Sequence, residues 1–139
     1  MNNENIVLAA VAAGLIILML FVAAILKRRT GPKLNHEYYQ MRWKELQGLC
    51  SDKKTWPLAI IDADKLLDEA LKKSHYKGKT MGERLVTAQR NLSNNDAVWY
   101  AHKLRNKIVH EQYVNLKESD VKSALIGFRQ ALKDLGALK

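Results

Sequence analysis

The chain is poor in cysteine, proline and glycine, with one, two and seven of them in 139 residues. The lone Cys50 excludes an intrachain disulfide and any zinc site built of thiolates. It reads as a small core residue in a reducing compartment. No segment alternates apolar and polar residues with a period of two, and no repeat recurs at solenoid spacing, so sheet and repeat architectures are excluded. A phosphate loop is missing as well: Lys77-Gly-Lys-Thr80 has the end of one, but no glycine stands at the required spacing before it and no strand leads in. His110-Glu111 is followed by Gln-Tyr-Val rather than by a second histidine at zinc-protease spacing, and His36 and His75 lie in separate segments without carboxylate clusters. Neither a metal nor any other cofactor is expected.

Charge is missing from one stretch only. Residues Ile6 to Leu26 hold none, and about 20 apolar residues match the ~30 Å hydrocarbon thickness of a bilayer. A cleaved signal peptide would open with Lys or Arg, whereas Met-Asn-Asn-Glu-Asn precedes this run and Lys27-Arg28-Arg29 follows it. The expectation is an uncleaved single span in the inner membrane of a cell, N-terminus outside, since the basic flank belongs on the cytoplasmic side. Residues 1–26 are then tail and span, 27–34 a basic linker broken at Thr30-Gly31-Pro32, and 35–139 a cytoplasmic domain.

That domain reads as helices throughout. Asn35 caps a helix bearing Tyr39, Trp43, Leu46 and Leu49 or Cys50 at spacings of three and four. Thr55-Trp-Pro57 opens a second, with Pro in its first turn and a stripe of Leu58, Ile61, Leu66 or Leu67, Ala70 and Leu71. Its Asp62, Asp64, Asp68 and Glu69 interleave with lysines and read mostly as solvated pairs. Thr80-Met-Gly-Glu83 has capping-box spacing for a short helix packing Leu85 and Val86. Ser93 to Asp96 caps the next, with Ala97, Ala101, Leu104 and Ile108 toward the core. A last helix carries Val121, Ala124 or Leu125, Phe128, Leu132 and Leu135. The fold class is all-α: one membrane helix, then a bundle of four or five helices.

From Lys33 onward 20 Lys/Arg oppose 13 Asp/Glu, a net charge of about +7 that favours RNA, DNA or anionic lipid as partner. A solvated basic face beside the membrane is the plainer account of it. The chemistry concentrates in Trp99 to Glu111, which sets His102, Arg105, Asn106 and His110 on one helical rod. Arg105 and His110 are offset by ~140° and ~7.5 Å along an ideal helix, while Asn106 and His110 are nearly stacked. Asn106 is thus expected to orient the imidazole. With an ordinary pKa near 6.5, a histidine here can take a proton from a ribose 2′-OH while the arginine stabilises charge growing on the phosphate. A helix-terminal Arg and His also serve simply to satisfy carbonyls and complement the helix dipole.

Arg105-Asn106-Lys-Ile-Val-His110 is the arginine, polar residue and histidine spacing of the HEPN family. With its flanks Ala59-Ile-Ile-Asp-Ala-Asp-Lys-Leu-Leu-Asp-Glu-Ala-Leu71, Gly78-Lys-Thr-Met-Gly-Glu-Arg-Leu85 and Ala101-His-Lys-Leu-Arg-Asn-Lys-Ile-Val-His-Glu111, the stretch 57–136 resembles small bacterial HEPN-like proteins, several of them membrane-anchored. The resemblance implies a helical bundle that forms a homodimer with the motif helices facing. In active members it implies a metal-independent endoribonuclease of defence or toxin systems. Arg105 and His110 carry over as the catalytic pair and Asn106 as the polar residue beside it. His102, Lys103, Lys107 and Glu111 are the accompanying binding candidates, with no small-molecule cofactor. Other members of the family are noncatalytic RNA-binding or protein-interaction modules, so a membrane-tethered sensor or adaptor is the second expectation.

Overall fold

The computed structural model describes residues 2–29 and 32–139, and the side chains of all of these except 26–29. It divides into two compact units, Met1–Pro32 and Lys33–Lys139. Among the described residues there are six α-helices and short 3₁₀ turns, with no strand, as the missing period-two pattern requires.

The first unit is one helix, α1 (Asn3–Arg29), whose Asn3–Ile25 stretch is long and apolar enough to cross a membrane. At 1.5 Å per residue it extends about 40 Å. Every side chain from Asn2 to Ile25 is exposed. The helix continues through the basic triplet. The break expected at Thr30 and Gly31 lies outside the described residues.

The second unit packs α2 (His36–Gly48), α3 (Trp56–Lys73), α4 (Met81–Ala88), α5 (Asn95–His110) and α6 (Glu118–Asp134) around one core. Its caps follow the sequence. The Asn35 side chain accepts from the Tyr38 N–H at 3.1 Å, the Thr80 hydroxyl from Glu83 at 3.2 Å, and Asn94 from Ala97 at 3.0 Å. The capping box at Thr80 is only half formed: the Glu83 carboxylate takes the Lys79 N–H at 2.6 Å, one residue earlier than the box predicts. Pro57 sits in the first turn of α3, where its missing N–H costs no helical bond.

Tyr39, Ile60, Leu67, Leu71, Leu85, Val98, Phe128 and Leu132 are fully buried, and burying each apolar side chain of this size contributes ~1.5–3 kcal/mol. The helices exist as expected, but three are turned about their axes. In α3 the buried stripe is Ala59, Ile60, Ala63, Leu66, Leu67, Ala70 and Leu71, while Leu58 is exposed and Ile61 half-buried. Val86 faces solvent on α4. In α5 the buried residues are Val98, Ala101 and His102, with Ala97, Leu104 and Ile108 only partly covered. Leu58, Ile61 and Val86 flank true core positions, so apolarity alone does not choose between adjacent rows. At Gly127 α6 meets α5 so closely that an added Cβ would overlap the Ala97 carbonyl.

Candidate functional site

A cleft of about 500 Å³ opens between α3, the start of α4 and α5, lined by residues including Asp64, Lys65, Gly82, His102, Arg105 and His110. Each helix delivers a distinct part. From α3 comes acid, because Asp64 stands in phase with Ile60, Leu67 and Leu71 and is carried inward to 3% exposure. From α4 comes a helix start laid over His102, so near that a Cβ on Gly82 would stand 3.9 Å from Nε2. From α5 come His102, Arg105, Asn106 and His110, the last at its C-terminal end.

Arg84 fixes α4 in this position. It donates to both oxygens of Asp68, from Nε at 2.7 Å and Nη2 at 3.0 Å, and to the Gly78 carbonyl at 2.6 Å. Burial pushes the Asp68 carboxyl up, but hydrogen bonds and charge from Arg84 and Lys72 outweigh it and hold the group below its ordinary range. Gly78 has a φ of +157°, and a Cβ there would stand 2.7 Å from the Arg84 backbone nitrogen. The turn under the guanidinium therefore takes glycine alone.

The α5 polar residues form a ring rather than a row. Asp64 Oδ1 lies 2.7 Å from His102 Nδ1, and Asn106 Nδ2 lies 3.3 Å from His102 Nε2. Arg105 Nη1 donates to Asn106 Oδ1 at 2.9 Å. Arg105 Nε approaches Asp64 Oδ2 at 3.2 Å, out of line for a hydrogen bond, so the two attract there as charges. The ring assigns its own protons. Since Asn106 Oδ1 accepts from Arg105, its amide N–H₂ must donate to His102 Nε2, and Nδ1–H then donates to the carboxylate. Trp99 meets the imidazole edge-on at 6.0 Å between centroids.

Arg105 and His110 thus share one cleft within a single chain, neither of them buried: Arg105 is half-buried and His110 exposed. Their ~140° offset does not keep them from lining the same cleft. Asn106, expected to orient His110, is engaged with His102 instead. Helical side chains lean toward the N-terminus, so a residue meets its neighbour at i−4 before the one at i+4. Lys103 and Lys107 do not reach the cleft; with Tyr100, Leu104 and Asp120 they line a separate groove of about 340 Å³. Glu111 caps α5 through its backbone N–H to the Lys107 carbonyl, and its carboxylate lies 4.0 Å from Lys107 Nζ. Cys50 is half-buried against the core, its Sγ 3.7 Å from the Leu46 carbonyl, and burial pushes its thiol up.

Asp64, Asp68 and Arg84 were hidden by composition, since α3 carries enough lysine for every acid to be read as solvated. Phase was the available signal. Ile60, Asp64, Leu67 and Leu71 follow one another at steps of four, three and four, which puts a carboxylate on the buried face. No family model, curated protein or solved structure matches the chain.

Proposed function

We propose that this is a HEPN-like protein held at the inner membrane by α1, which binds RNA with its basic cytoplasmic domain and cleaves it without a metal. His110 takes the proton from the 2′-OH and Arg105 stabilises the phosphate as charge builds on it. The observation that carries the reading is that these two side chains, spaced as the family motif has them, line one solvent-open cleft. An exposed imidazole is within reach of substrate and water. The net charge of about +7 from Lys33 onward supplies the long-range attraction for a polyanion. Two copies pairing through their motif helices belong to the same proposal, on the resemblance alone.

The test is to incubate the full chain, in detergent or nanodiscs, with mixed RNA in EDTA. Cleavage that disappears in His110→Ala supports the reading. No cleavage, or equal cleavage by the variant, ends it.

A second reading is favoured by the ring itself, because Arg105 and Asn106 already have partners within the chain. In a noncatalytic adaptor those bonds would be the whole purpose of the motif. That reading predicts a steep fall in melting temperature for Arg105→Ala together with inert RNA, whereas the nuclease reading predicts lost cleavage in His110→Ala at an unchanged melting temperature.

A further inference from the structure

Nothing in the nuclease reading requires Asp64 or His102, yet they are the most buried polar groups at the cleft, at 3% and 8% exposure. A leucine in phase with Ile60, Leu67 and Leu71 would complete the α3 stripe without the desolvation that a carboxylate suffers there. Nor is the carboxylate used in a plain ion pair. One oxygen holds His102 Nδ1 and the other faces Arg105 Nε, while Asn106 closes the circuit from His102 Nε2 back to Arg105 Nη1. Both imidazole nitrogens and both ends of the amide are therefore occupied, which removes His102 as a proton carrier. The guanidinium keeps most of its N–H donors unused.

We propose that Asp64 is a positioning residue, which through the ring of His102 and Asn106 fixes the Arg105 guanidinium at the cleft wall to receive a phosphodiester. The inference rests on the nuclease reading and adds to it a buried acid that acts only through Arg105. Orienting partners of this kind typically carry about 10–100-fold of activity when removed. The loss belongs to turnover rather than to RNA capture, because the charge of Arg105 survives while its aim does not.

The experiment uses the full chain in detergent micelles, wild type and Asp64→Asn, with mixed single-stranded RNA in EDTA and ¹⁵N-labelled histidine. Asparagine removes the charge facing Arg105, and its amide can turn either oxygen or N–H₂ toward His102, so position 64 no longer dictates which ring nitrogen carries the proton. The expected result is a single Nδ1–H tautomer of His102 in the wild type and a mixture in Asp64→Asn. The saturating cleavage rate falls about 10–100-fold while the half-saturating RNA concentration stays within about threefold. Asn106→Ala opens the ring from its exposed side and should give the same pattern, which keeps the test decisive if Asp64→Asn does not fold. Undiminished turnover in the variants, or a mixed tautomer in the wild type, overturns the proposal. If the wild type does not cleave RNA the nuclease reading falls, and the tautomer alone then decides whether Asp64 sets the ring.

Discussion

At the scale of residues, the bundle is tuned by acids that the core pulls inward. Asp68 is held below its ordinary value of 3.8 in the folded chain. A carboxyl of lowered pKa contributes stability that is full above the unfolded value, declines as pH falls below it, and is gone beneath the folded value. Arg84→Met removes the main partner, so urea melts should show it less stable than the wild type at neutral pH. The gap should narrow as pH falls below 3.8; a gap that stays constant would mean that Arg84 acts through packing alone. The placement of Arg105, Asn106 and His110 on one helix was legible because their spacing is local. The partners of that motif were not, because Asp64 meets His102 across 38 positions of chain. No local pattern fixes a pairing of that kind, and only the phase of Asp64 in the α3 stripe hinted at it.

Among the elements, the seam between α5 and α6 is the most exacting. Alanine is better than glycine in a helix by about 1 kcal/mol, so Gly127→Ala would stabilise an open position. Here the new Cβ meets the Ala97 carbonyl, backbone that cannot rotate away, and overpacking of this sort costs about 1–3 kcal/mol. The expected outcome is net destabilisation in urea melts; an increase in stability would show that α6 slides freely on α5. Helix existence was readable throughout and the caps in part: Asn35, Thr80 and Asn94 each bond as a cap, while Thr55 makes no side-chain cap bond and the Lys117 start of α6 carried no expected cap residue. Helix rotation was readable only in part. Leu58 and Val86 are apolar yet exposed, while the small Ala59 and Ala63 allow the closer packing on the other side of α3, which hydrophobicity counts do not weigh.

At the scale of the whole molecule, the sequence joins an apolar helix to a basic unit, Lys33–Lys139. With the orientation proposed, protease added to spheroplasts should leave the 33–139 unit intact, and inverted membrane vesicles should expose it to digestion. The reverse pattern would move the domain to the outer side and away from cytoplasmic RNA. RNA binding led by charge should also weaken with salt, by about 20-fold between about 50 and 200 mM if three phosphates of a single strand are contacted; binding indifferent to salt would remove charge as the driving force. Whether the cleft of Arg105 and His110 cuts RNA is decided by one assay. The full chain and its His110→Ala variant are incubated with mixed RNA in EDTA at equal melting temperature. Fragments from the wild type and intact RNA with the variant are expected; intact RNA with both, or fragments with both, would end the nuclease reading.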